Sequence, residues 1–293
     1  MKIKHIVITR FNLKIWQKDK SNKTTLGEDW MEERFNLFER FCFPSLMHQS
    51  DKNFRWLCLF DSETPEKYKE RVKQYQSLCP QFCPVFFHET EAHDNYKSIT
   101  HQRILSEFDP SCDAFITSRL DNDDALHGDY IATINQLAKN TERTDQYCVF
   151  IYGYQYFERK NLLTRIKYPN NHFTARIEKG LTDPASIKTV FEIKHSHLRK
   201  KGIANNVYVN KISDRKRPFW IEVIHERNVA NDLFLAFRIK DLIYFFQTKP
   251  EMKTRTLSEF GLDVSIEKWH QIVAFHSFYM LEVCSKILHK LVK

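Results

Sequence analysis

The chain has 293 residues, 42% of them hydrophobic and 14% aromatic, with a formal net charge of +8. That length and apolar content exclude a disordered chain and allow one large core or two modest ones. With only 6 glycines, and neither the Walker nor the Rossmann spacing among them, a glycine-rich phosphate loop is also excluded.

In chain order, residues 3–9 form a β-branched run that predicts a strand. Residues 28–47 carry Met31, Phe35, Phe38 and Phe41 at near-helical spacing, with Pro44 marking a kink or break. Residues 54–60 predict a second strand ending at Asp61. Thr64 and Pro65 then supply an N-cap and a first-turn proline for a helix through residue 75. A third strand is expected at 85–87, a helix at 96–108, a fourth strand at 113–120 and a helix from about 129 to 138. Strands alternating with helices imply an α/β fold, a mainly parallel sheet covered on both faces, with ligands beyond the carboxyl ends of its strands.

The second half is more elaborate. Residues 147–152 read as a strand, and shorter strands are expected at 189–194, 206–209 and 219–224, separated by irregular polar segments at 168–172 and 211–217. With no linker or repeat, residues 1–262 predict one domain with halves 1–140 and 141–262, followed by a helical tail over 263–293. The tail is apolar nearly all round from 269 to 281, bounded by Lys268 and Glu282. That is short of the ~20 residues a span requires. The tail therefore packs on the body or lies on a membrane surface, helped by Lys286, Lys290 and Lys293.

Charge is unevenly spread: residues 1–150 hold 20 Lys+Arg against 23 Asp+Glu, and residues 151–293 hold 25 against 14. A basic second half suits an anionic ligand or surface. No nucleic-acid-binding signature accompanies it, so nucleic acid is set aside as a partner. Seven cysteines, only Cys79 and Cys83 close together, give neither zinc-site pairs nor a disulfide framework. The first residues are too interrupted for a signal peptide, and a cytoplasmic location is the expectation.

The run Asp121, Asn122, Asp123 and Asp124 carries the chemistry. It follows the expected fourth strand, and hard anionic oxygens there can hold Mg²⁺ or Mn²⁺ against a diphosphate. A calcium loop would need an oxygen ligand and then glycine where Ala125 and Leu126 stand. A phosphatase Asp-x-Asp-x-Thr would follow the first strand and place threonine at Ala125. A metal-assisted diphosphate site remains, beside the purely structural reading of acids at a helix N-terminus.

Several stretches resemble the putative rhamnosyltransferase family, glycosyltransferases of the GT-A type with a DxD motif. They are Thr9-Arg10-Phe11-Asn12, Glu33-Arg34, Leu37-Phe38-Glu39, Pro44-Ser45-Leu46 with Gln49, and Phe54-Arg55-Trp56-Leu57. Phe60-Asp61, Thr64-Pro65, the run from Ser118 to Leu126, and Pro218-Phe219-Trp220 with His225 and Asn228 complete the set. The resemblance implies a GT-A fold whose nucleotide-sugar half is 1–140 and whose acceptor-side half is 141–262. It implies that Thr9, Arg10, Asp61, Arg119 and Asp121 meet the nucleotide-diphosphate sugar. Asp121, Asp123, Asp124 and His225 become the metal candidates, and imidazole favours Mn²⁺ over Mg²⁺. For an inverting reaction, Asp183 and Glu222 are the candidate bases. His195 and His197, at strand spacing, read as a satisfied pair.

The expected reaction is sugar transfer to a glycan or lipid-linked acceptor in polysaccharide biosynthesis, at the cytoplasmic face of a membrane. The competing expectations are another metal-dependent diphosphate enzyme, such as a nucleotidyltransferase, and a catalytically silent glycan- or anion-binding protein.

Overall fold

Alternation along the first strand, β1 (Ile3–Arg10), sends Ile3 and Val7 to one face of a sheet and Ile6 and Ile8 to the other. β2 (Arg55–Asp61) repeats the pattern, with Trp56, Cys58 and Phe60 opposite Leu57 and Leu59. Strands buried on both faces need helices on both faces, as the sequence implies. A computed structural model of the chain describes residues 1–14, 27–88, 95–198, 207–225, 248–252 and 255–291.

β1, β2, β3 (Phe82–Phe87) and β4 (Ala114–Arg119) are parallel, in the order β4-β1-β2-β3. The sheet continues beyond β4 through β9 (Thr174–Lys179), antiparallel to its neighbours, then β6 (Asp145–Phe150) and β10 (Tyr208–Ile212). α1 (Glu28–Leu37), α2 (Phe43–Met47), α3 (Glu66–Leu78) and α5 (Tyr130–Asn140) contribute Phe35, Phe43, Tyr68 and Ile134 to one side of it. α4 (Asn95–Leu105) contributes Ile104 to the other. The result is the mixed α/β architecture with a mostly parallel central sheet that the sequence predicts.

A second sheet stands beside the first, in the order β12-β8-β7-β11-β5. It comprises β5 (Ala125–Leu126), β7 (Tyr152–Phe157), β8 (Leu162–Lys167), β11 (Trp220–Ile224) and β12 (Lys249–Pro250). β5 is only two residues long, yet it carries the chain directly from the end of β4 to the edge of the second sheet, pairing antiparallel with β11. β7 approaches β11 closely because Gly153 has no side chain: a Cβ there would lie 2.1 Å from the indole of Trp220. That indole donates to the Phe150 carbonyl at 2.8 Å and stacks on Phe173.

The structure corrects several sequence expectations. Residues 28–47 run as α1, a π turn (Phe38–Cys42) and α2, and the wide turn before Pro44 accommodates its ring. Pro65 takes the cap position of α3, while Thr64 donates to the Asp61 carbonyl. The run at 147–152 is split between β6 and β7, and β8 and β9 have no counterpart among the expected strands. Residues 189–194 are not a strand, because Thr189 adopts a left-handed φ of 62°. His195 and His197 share one short 3-10 turn, so they are not at strand spacing.

The tail is helical from Lys268, through α6 (Lys268–Ala274), a π turn (Phe275–Met280) and α7 (Leu281–Leu291). Among the described residues, no helix is long and apolar enough to cross a membrane. Asn206, Asn228 and Lys293 lie outside the described residues, as do the side chains of Lys286 and Lys290.

Candidate active site

The carboxyl ends of β1 and β4 lie side by side, with Ile8 opposite Arg119 in register. Their last residues both face the acid run. Arg119 forks onto Asp121, its closer contact at 2.9 Å, and Arg10 approaches the same carboxylate at 3.6 Å. Burial pushes the Asp121 carboxyl up, but the charges of Arg119, His172 and Arg10 outweigh it and hold the group well below the usual carboxylate range.

The next two acids turn to different partners. Asp123 accepts from Arg34 Nη1 at 2.6 Å and meets His225 Nε2 at 2.9 Å. Burial opposes its ionisation, but Arg34 and His225 prevail and shift it downwards. Asp124 accepts from the backbone N–H of Val223 at 2.9 Å and meets His172 Nε2 at 2.8 Å. Complete burial, with Asp123, Asp121 and Glu222 nearby, raises the Asp124 carboxyl well above the usual range. Burial likewise raises Glu222, whose carboxylate accepts from Gln155 at 2.8 Å, and keeps His172 neutral to lower pH than usual.

Asp121, Asp124 and His172 offer ligand atoms that all lie within 4.8 Å of one another. Two carboxylates and a neutral imidazole form a donor set suited to Mn²⁺, and Mg²⁺ fits the carboxylates. Asp123 lies outside that group, its carboxylate meeting Arg34 and His225 instead of His172. The expected metal candidates therefore divide into two groups, with Asp121 and Asp124 joined by His172 and Asp123 joined by Arg34 and His225.

Thr9 is fully buried, and its hydroxyl accepts from the Trp56 indole at 3.0 Å. Asp61 ends β2, as expected, and closes a local turn by accepting from the Glu63 N–H at 2.8 Å. Lys14 stands 3.9 Å from it. Asp183 is exposed and caps a short 3-10 turn by accepting from the Ala185 N–H, so its contacts are local. Glu222 is buried on β11 beside the acid run.

Sequence reasoning missed His172 and gave Arg34 no role. Arg34 lies in one of the stretches quoted for the family resemblance. His172 had no signal beyond its irregular polar segment. His195 also joins the edge of the site, 3.5 Å from Arg119, and burial followed by the charge of Arg119 lowers its imidazole to about 3.

The profile of the family described as putative rhamnosyl transferase matches residues 4–236. No curated protein matches the chain. Among solved structures, S. aureus TarS 1-349 in complex with UDP is similar at 10% identity and a TM-score of 0.43, over 76% of this chain and 61% of that one. The chain thus spans about three fifths of that structure's length. A putative nucleotide-diphospho-sugar transferase from Desulfovibrio desulfuricans G20 is similar at 14% identity and a TM-score of 0.37, over 77% of this chain and 82% of that one.

Proposed function

The chain belongs to the putative rhamnosyl transferase family, a family of glycosyltransferases, and from that premise we propose that it moves a sugar from a nucleotide-diphosphate donor to a glycan or lipid-linked acceptor. Rhamnose is the sugar we propose, and the GT-A type is the fold we propose, with residues 1–140 as the donor side, 141–262 as the acceptor side and 263–293 as an appended tail. The reaction would take place at the cytoplasmic face of a membrane.

One observation carries this reading: Asp121, Asp124 and His172 converge where Arg10 and Arg119 end neighbouring parallel strands. A bound Mn²⁺ or Mg²⁺ held by those three residues would neutralise the departing diphosphate. The two arginines, which share Asp121, can turn their remaining donors to phosphate oxygens. Arg34 and His225 hold Asp123 and with it the course of the acid run. Asp61, at the end of β2, meets the ribose or base. Thr9 shapes the floor through Trp56.

Glu222 is the base for an inverting transfer. Its buried carboxylate has a raised proton affinity, so it can take the acceptor hydroxyl's proton as the donor bond breaks. Asp183, tied to its own turn, is the weaker candidate.

The test is a thermal-shift panel of UDP, dTDP, GDP and ADP, each with and without Mn²⁺, on the full chain. One nucleoside diphosphate should raise the melting temperature with metal, because a ligand of the native state stabilises it. Asp121→Asn should lose that rise while remaining folded. Silence across the whole panel would sink the reading. Release of free sugar from the matching nucleotide sugar separates a transferase from a silent binder.

A further inference from the structure

The tail from Lys268 to Leu291 is one continuous helix with a π turn at its centre. Its inner face is well anchored. Ala274, Tyr279 and Val283 pack on Phe157 and Leu162, and Ile224 joins the same cluster. Gln271 accepts from the Leu163 N–H at 2.7 Å and donates to the Asn161 carbonyl at 2.6 Å.

The outer face holds four large apolar side chains open to solvent, interspersed with exposed His276, Ser277 and Ser285. Trp269 is 76% exposed, Val273 63%, Leu281 64% and Leu288 62%. In a strict α-helix the eight residues from Val273 to Leu281 would rotate the second away from the first by about 80°. The π turn lies between them and takes up rotation, because each of its residues advances the helix less. It serves the inner face in the same way, where five residues separate the buried Ala274 and Tyr279.

The tail's sequence is basic on balance. From Glu267 to Lys293 the sequence carries four lysines, Lys268, Lys286, Lys290 and Lys293, against two acids, the exposed Glu267 and the half-buried Glu282. Exposed Lys160 adjoins the helix: its ammonium lies 5.5 Å from the Phe278 ring, and its carbonyl meets His270 at 2.6 Å.

We propose that the outer face of this helix docks on an anionic lipid bilayer. Exposed apolar side chains with a tryptophan at one end, and Lys160 and Lys268 nearby, fit the boundary between headgroups and acyl chains. The cations complement anionic headgroups, whereas a second copy of the helix would bring like charges together. The proposal stands on the tail alone, so it survives even if no nucleotide binds. Docking would also fix the site's orientation, because Ile224 packs under the helix and immediately precedes His225.

The test is cosedimentation of the full chain with phosphatidylcholine vesicles and with equimolar phosphatidylcholine–phosphatidylglycerol vesicles, at low and high salt. The chain should pellet with the anionic vesicles only, and salt should weaken this. The double substitution Trp269→Ser, Leu281→Ser should weaken binding by about tenfold or more without lowering the melting temperature, since both side chains are exposed. Should that variant melt early, Val273→Ser repeats the measurement at a third exposed position. No pelleting with anionic vesicles, or equal pelleting by folded variants, would overturn the proposal. So would a dimer in solution that dissociates on the same substitutions without any lipid binding, which would assign the face to a second copy.

Discussion

Asp123 and His225 are 102 positions apart in the chain, yet Oδ2 of one lies 2.9 Å from Nε2 of the other. The contact joins the end of β4's segment to the end of β11, and hence one sheet to the other. Arg34, from α1, completes the arrangement on the same carboxylate oxygen.

Arg34→Ala would leave the buried Asp123 carboxylate without its guanidinium. Removing one partner of a buried ion pair costs about 3–5 kcal/mol. Chemical denaturation should show a loss of that order, and an unchanged midpoint would show that the pair contributes little to stability. Adding Asp123→Asn to the variant should recover part of the loss.

Gly153→Ala should destabilise the second sheet. Its new Cβ meets the Trp220 ring, so either β7 or the indole must shift, at a cost of about 1–3 kcal/mol for overpacking. Since Trp220 starts β11 and pairs with Leu126, the displacement should also reduce any nucleotide-induced thermal shift. Retention of full stability would mean that the strands separate more easily than their register implies.

His172→Ala should weaken Mn²⁺ binding by about 10- to 100-fold, measured by the electron paramagnetic resonance of free Mn²⁺. His225→Ala should weaken it less, because His225 contacts Asp123, which lies outside the Asp121–Asp124–His172 group. The reverse order would move the metal to Asp123 and His225.

His5 predicts a pH dependence of stability. It is buried between Asn135 and Ser118, at 2.8 Å from each, and burial lowers its imidazole from 6.5 to about 4. The unfolded chain therefore binds the proton first. The stabilisation is fully present above pH 6.5 and is lost as pH falls towards 4, a change on the order of 3 kcal/mol. Denaturation of His5→Gln at several pH values should show a shallower acid slope. An identical slope would assign the acid sensitivity to other groups.

Glu222→Gln keeps the size of the side chain and removes the proposed base. It should leave nucleotide-induced stabilisation intact and reduce sugar transfer by about 10²- to 10⁴-fold. Transfer at the native rate would exclude Glu222 as the base.

The parallel strands and the acid run were legible because their signals are local: β-branched and aromatic alternation in β1 and β2, and acids next to one another after β4. His172 was not, because nothing near it in sequence marks it; its value comes only from the 2.8 Å approach to Asp124 across the fold. Arg34 was visible as a residue but not as a partner, for the same reason. The strand expected at 189–194 failed at one backbone angle, since β-branched Thr189 sits in a left-handed conformation against its propensity. Its carbonyl accepts from the fully buried Arg176, a tertiary contact that composition does not reveal.

β5 spans two residues, and only Leu120 and the acid run separate it from β4. That brevity makes the run one of two short crossings between the sheets, the other being Ile151 between β6 and β7. Any sliding of one sheet past the other must draw on the segment that holds the carboxylates. Insertions can be absorbed in loops elsewhere, but a single added residue between Arg119 and Ala125 would put both sheets out of step with the same site.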